Sequence, residues 1–206
     1  MTDLALFFIA SLALNLTPGN DMLYVISRSV SYGFKAGFYS SMGIFLGCLV
    51  HVMAAVFGIS LLIAQSAFLF SVVKFAGAAY LIYLGIKALT TKAPVEETET
   101  LQARHHIDFL KQGIITNALN PKVAIFFLSF LPQFIDPGSG NVQLQLLFLG
   151  LWFSLQGTLL LMIISFFIGK TRNLIMQHPR FWKIQGRVTG LILIALGLKL
   201  AISSRK

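Results

Sequence analysis

An all-α membrane protein of six transmembrane helices, built as two inverted three-helix repeats with helices 1 and 4 broken at Pro18 and Pro121, is the fold this chain of 206 residues predicts. Three observations lead there. Apolar residues gather in six blocks, near 4–27, 38–63, 67–89, 108–134, 143–168 and 185–203, each close to the ~20 residues that cross a bilayer as a helix. One polar stretch, 91–107, leaves three blocks on either side. Finally, Asn15-Leu16-Thr17-Pro18-Gly19-Asn20-Asp21 and Asn117-Ala118-Leu119-Asn120-Pro121-Lys122 interrupt the first and fourth blocks, with their prolines 103 positions apart. Three crossings before the linker make the second half enter the membrane in the opposite sense, so the repeat is inverted.

The first block, 4–27, has only Asp3 ahead of it and runs past the length of a signal-peptide core, so it reads as a retained helix. The second, 38–63, carries His51 and the pair Gly43/Gly47; the third, 67–89, carries Lys74 and closes on Leu84-Gly85-Ile86-Lys87. The linker, with Pro94, Glu96, Glu97, Glu99, Arg104, His105 and His106, separates a first repeat (1–90) from a second (108–206). Phe109-Leu110 precedes the second break as Phe7-Phe8 precedes the first. The fifth block holds Gln156, and the sixth holds Gly186/Gly190 and closes on Leu196-Gly197-Leu198-Lys199, echoing the third. Small residues four apart let helices approach closely; here they serve either packing within one chain or the seam of a homodimer.

Composition narrows the function. A hydrophobic share of 56% with 11% charged residues and a mean hydropathy of +0.80 leave no room for a separate soluble domain. The net charge of +9 does not indicate nucleic acid, because its distribution follows membrane topology. Arg28 and Lys35, then Lys87, Lys92, Arg104 and Lys111, then Lys170, Arg172, Arg180, Lys183 and Arg187 fall near connections on one face, and the short connections at 64–66 and 135–142 carry none. Basic loops stay cytoplasmic, so both termini are expected outside. Cys48 is the single cysteine, which rules out an internal disulfide and a thiolate zinc cluster. Adjacent His105 and His106 lack further metal ligands. No His-Glu-x-x-His, Gly-x-Ser-x-Gly or Gly-x-x-x-x-Gly-Lys motif is present, so neither an enzyme nor a nucleotide-driven pump is expected, nor any cofactor or metal.

The breaks carry the chemistry. Proline removes a helix hydrogen bond, and the polar backbone groups it frees are tolerated at membrane depth only inside protein or beside a cavity. Matched breaks in two halves point to a transporter's binding site. Asp21, three residues past Pro18, is a carboxylate inside an apolar block, where it costs about 2.5–3.5 kcal/mol and faces a partner or cavity. It reads either as a cap of the restarting helix or as a proton carrier or ammonium contact. Lys122 is its expected ion-pair partner. Asn15, Thr17, Gly19, Asn20, Asn117 and Asn120, beside Pro18 and Pro121, supply donors and acceptors suited to a zwitterion. His51, which titrates near neutrality, and Gln156 are weaker candidates, and Lys74 is expected to snorkel.

These same segments resemble a known family. Asn15 to Asp21 is similar to the first-helix motif of the lysine exporter (LysE/RhtB) family of bacterial amino-acid efflux proteins. Asn120-Pro121-Lys122 followed by Phe130-Leu131-Pro132-Gln133-Phe134 resembles its second signature, and Tyr80-Leu81-Ile82-Tyr83-Leu84-Gly85 also fits. Many members have proline where this chain has Asn20. The resemblance implies proton-driven export of an amino acid across the bacterial inner membrane, closer to the homoserine, threonine and leucine exporters than to the basic amino-acid exporters. The partners are then the amino acid, a coupling proton and membrane lipid. A small-solute channel and a non-transporting accessory protein are the alternatives.

Overall fold

Helices α1 (Leu4–Leu16) and α2 (Asn20–Tyr32) make up the first broken element. The computed structural model describes residues 4–59, 67–90, 105–136, 138, 140–170 and 179–202, and every element among them is helical. After α2 come α3 (Phe34–Ala54), ending in a π turn at Ala55–Ile59, and α4 (Ala67–Thr90). The second half has α5 (His106–Ala118) and α6 (Pro121–Ile125), which runs on through a π turn (Phe126–Phe130) and a 3-10 turn (Leu131–Phe134). Then follow α7 (Val142–Lys170) and α8 (Pro179–Ile202).

Local chemistry sets these boundaries. Gly33, at φ 79°, joins α2 to α3 in one residue, a left-handed conformation that glycine adopts without penalty. The first connection is therefore a kink, not the loop the sequence pattern suggests, and Arg28 is not in a loop. It lies buried on α2 with its guanidinium 5.3 Å from the Tyr24 ring. His105 and Asp108 form a reciprocal capping box that starts α5 inside the expected linker, while His106 stacks on Tyr39. Both histidines thus have structural roles at the helix start. Pro121 takes the first position of α6, where its missing N–H is harmless. Lys74 lies 4.6 Å over the Phe75 ring. Of the basic residues used for orientation, Lys92, Arg104 and Arg172 lie outside the described residues, as do linker positions 91–104 and the connection at 64–66.

Two described helices, Phe34–Gly58 and Val142–Ile168, are long and apolar enough to cross a membrane, and His106–Ala118 with Pro121–Phe134 makes a third if the pair, bent by 45°, is one span. Leu4–Leu16 is apolar but short, because Pro18 cuts the first block into two helices of 13 residues.

Helix α3 packs against α2, α5 and α7 at the centre, while α4 crosses α8. Helix α8 rests on α1, and α4 rests on the π turn at Phe126–Phe130. Glycines make these approaches possible. A methyl group on Gly85 would meet Ile194 Cγ1 at 2.6 Å, the Gly190 carbonyl at 2.7 Å and the Ile194 nitrogen at 3.0 Å. On Gly197 it would meet Ile82 Cγ1 at 2.7 Å, the Ala78 carbonyl at 2.8 Å and the Ile82 nitrogen at 3.2 Å. A shift of 112 positions takes Gly85 to Gly197, Ile82 to Ile194 and Ala78 to Gly190, so one contact is made twice. Position 78 faces 197 and position 85 faces 190; α4 and α8 therefore run antiparallel.

The pair Gly43/Gly47 is spent inside the chain. A methyl on Gly43 would run into the Leu110 carbonyl, and one on Gly47 would sit 2.5 Å from the Ile114 carbonyl. Neither backbone can yield. Gly43→Ala is expected to lower the apparent Tm of the detergent-purified protein by several degrees, the scale of the 1–3 kcal/mol that overpacking costs. Ala54→Gly, at an exposed position, is the control that should stay within about 1 kcal/mol of wild type. Fluorescence-detected thermal unfolding measures both.

Candidate functional site

Each proline leaves one carbonyl without its helical partner, since an i→i+4 bond to a proline nitrogen cannot form. Those carbonyls are Leu14, four residues before Pro18, and Asn117, four before Pro121; each takes a tighter backbone bond instead, from the Thr17 N–H at 3.1 Å and the Asn120 N–H at 2.8 Å. Both are met by long side chains from elsewhere. Lys122 Nζ donates to the Leu14 carbonyl at 3.2 Å and to the Thr17 carbonyl at 3.1 Å. His51 Nε2 donates to the Asn117 carbonyl at 2.8 Å, and because a carbonyl only accepts, the proton of that ring contact sits on Nε2.

Asp21 lies across the break in the other direction. Its Oδ2 accepts from Asn117 Nδ2 and Asn120 Nδ2, each at 2.9 Å. Asn120 also N-caps α6, its Oδ1 taking the Lys122 backbone N–H at 3.0 Å, which orients the amide at both ends. Asp21 and Lys122 do not form the contact ion pair expected from sequence. The carboxylate is held by amides of the second half, the ammonium by carbonyls of the first. Asp21 does lie in the first turn of α2, where its charge complements the exposed N–H groups, although the N-cap itself is Gly19 with no side-chain hydrogen bond. Neutral partners stand where the opposite charge was expected: side-chain amides at Asp21 and backbone carbonyls at Lys122. Asp21 Oδ1 and Asn117 Oδ1 are buried without a hydrogen-bond partner.

The remaining candidates divide. Asn15 Nδ2 donates to the Phe153 carbonyl and to Gln156 Oε1, both at 3.3 Å, and Gln156 also accepts from Ser11 Oγ at 2.9 Å. Thr17 gives its hydroxyl to the Ala13 carbonyl at 2.8 Å, so only its backbone serves the cluster. Gly19 lies against the Lys122 amine, which a Cβ there would approach to 3.1 Å. Pro18 is half-buried, while Pro121 and Asn20 are exposed, and the Asn20 side chain does not join the cluster. Where family members carry a second proline, then, this chain places a residue that faces outward.

Asn15, Asp21, Asn117 and Lys122 line a cavity of about 30 Å³, room for a water or two. Helices α3 and α7 close it with Ile44, Cys48, Phe153, Ser154, Gly157 and Thr158. Sequence reasoning passes over these. Serine and threonine inside helices commonly bond their own backbone, as Ser154 does to the Gly150 carbonyl and Thr158 to the Ser154 carbonyl, at 2.8 and 2.7 Å. Gly157 is the exception with a legible trait, a glycine in an apolar block; its missing side chain admits Asn15, whose Oδ1 a Cβ would meet at 2.8 Å. No group of three metal-ligating side chains occurs among the described residues.

A family model described as "LysE type translocator" matches residues 12–204. An uncharacterized membrane protein, YrhP, of Bacillus subtilis is 32% identical over 195 residues, covering 90% of this chain and 92% of the relative. An uncharacterized membrane protein of Vibrio cholerae is 34% identical over 64% of each chain. The leucine efflux protein of Salmonella typhimurium is 35% identical over 134 residues, 63% of this chain and 62% of the relative. No solved structure matches.

Proposed function

We propose that this chain, which belongs to the LysE type translocator family, is a secondary-active exporter of neutral amino acids in the bacterial inner membrane. The family is one of transporters, not enzymes, and multi-pass membrane residence follows from it. One observation carries the finer reading: a buried carboxylate and a buried ammonium, each anchored across the opposite helix break, line one cavity. An α-amino acid brings the complementary pair of charges. Its ammonium suits Asp21 Oδ1, and its carboxylate suits the amine of Lys122, at the breaks where helix dipoles end. Relatives that are named leucine efflux proteins favour a neutral substrate.

Six spans in two inverted repeats fit the antiparallel α4–α8 crossing, whose contacts repeat under exchange of the halves; a two-fold axis in the membrane plane has this effect. Basic residues near one set of connections favour cytoplasmic linkers and outside termini. In the cycle, Asp21 takes a proton from outside, the cavity opens inward, the proton leaves as the amino acid enters, and the halves rock back. One charge moving through 100 mV supplies about 2.3 kcal/mol, which supports an outward gradient of roughly 50-fold.

Counterflow in proteoliposomes tests this with labelled leucine, threonine, homoserine and lysine. Saturable exchange of neutral amino acids, accelerated by a pH gradient, is expected. Non-saturating flux would make the protein a channel, and no flux from folded protein would end the carrier reading.

A further inference from the structure

An amino acid cannot enter a cavity of about 30 Å³ unless part of its wall moves, and the two sides of the wall differ in how readily they can. On one side Phe153 stacks on Phe126 at 4.7 Å and meets Phe127 edge-on at 5.4 Å. Its carbonyl also holds Asn15. Those rings belong to a large buried cluster that takes in Phe7, Phe130 and Phe134, so shifting Phe153 would disturb many packed neighbours. On the other side Met22, Ile44 and Leu161 line the cavity as part of a small separate cluster, completed by Val25, Ile26 and Ile168. None of the six carries a ring, Tyr24 packs against them only from the edge of the cluster, and methionine adapts to irregular space.

Polar groups near this side offer a substrate side chain little. The hydroxyls of Ser154 and Thr158 donate to their own helix carbonyls, and Ser154 Oγ also lies 3.1 Å from Cys48 Sγ. Asp21 is the only carboxylate among the residues lining the cavity, and the proposed reading assigns it to the α-ammonium group. A cationic side chain would lack a counter-charge.

Resting on the exporter reading above, we infer that Met22, Ile44 and Leu161 form the side-chain subsite and select aliphatic amino acids of leucine size over hydroxylated and basic ones. The substrate's hydrocarbon side chain takes the space these residues yield. Their bulk sets the upper size limit, and their apolar surfaces give a substrate hydroxyl no compensation for its lost water.

Counterflow with purified protein tests this through ratios of half-saturating concentrations, which cancel differences in active fraction. Wild type should prefer leucine to threonine and to lysine. Leu161→Ala should move the phenylalanine-to-leucine preference toward phenylalanine by about tenfold or more, the scale of discrimination by one or a few methylenes. Ile44→Val, a milder change that keeps the helix packing, should move it the same way by a few-fold. Unchanged ratios in a folded Ile44→Val and Leu161→Ala that still exchange leucine would overturn the subsite and leave the carrier standing. So would a wild type that exchanges threonine in preference to leucine. Loss of exchange for every amino acid in wild type would instead overturn the exporter reading, and the subsite with it.

Discussion

Asp21→Asn should fold normally and lose pH-gradient-driven export by about 100-fold or more. The replacement is nearly isosteric, and its amide oxygen can still accept from Asn117 and Asn120, so the bridge between the halves survives. What disappears is the charge, and with it a group able to carry a proton or bind an ammonium. A hydrogen bond to a charged group contributes about 1.5–3 kcal/mol, so an ammonium contact alone accounts for roughly 10- to 150-fold in binding. Two assays on the same liposomes separate the roles. If gradient-driven uptake vanishes while counterflow persists, Asp21 carries the coupling proton. If both fall, it binds the substrate's ammonium. Full retention of both would remove Asp21 from the mechanism.

Much of this site is legible in the sequence because membrane interiors are unforgiving. A carboxylate, a lysine and two prolines inside apolar blocks stand out, and the physics that makes them rare also makes them informative. The breaks at Pro18 and Pro121 fall where the residue pattern puts them. What the pattern could not supply is which atoms meet. Pairing Asp21 with Lys122 by opposite charge overlooks the neutral groups at the breaks: the Asn117 and Asn120 amides reach Asp21, the Leu14 and Thr17 carbonyls reach Lys122, and neither set needs a second charge. His51 is the counterpart case. On sequence it is a lone histidine on an apolar helix, and only the α3–α5 crossing, opened by Gly43 and Gly47, brings it to the Asn117 carbonyl. Connections are hard to read from composition for a related reason. Gly33 turns α2 into α3 without a polar stretch, so Arg28, which the charge pattern puts near a connection, is buried on α2.

Lys122→Met should abolish transport and also destabilise the protein, whereas combining it with Asp21→Asn should restore stability alone. Methionine matches the length of the lysine stem but removes the hydrogen bonds that Nζ gives the Leu14 and Thr17 carbonyls, leaving Leu14 with the Thr17 N–H. It also strips the cavity of its only ammonium, leaving Asp21 as an uncompensated buried charge. Removing one member of a buried charge pair costs about 3–5 kcal/mol, while replacing both with neutral groups can be close to neutral. Because the two charges here are bridged by neutral groups, the lower end of that range is expected. Apparent Tm by fluorescence-detected thermal unfolding should therefore fall for Lys122→Met and recover in most part for the double variant, short of wild type by the two lost Nζ hydrogen bonds. Counterflow should be absent from both, since a zwitterion needs both charges. A double variant as unstable as the single one would mean that Lys122 acts on the fold through the Leu14 and Thr17 carbonyls and not through charge balance with Asp21. Counterflow in Lys122→Met at the wild-type rate would show that the substrate carboxylate is held elsewhere.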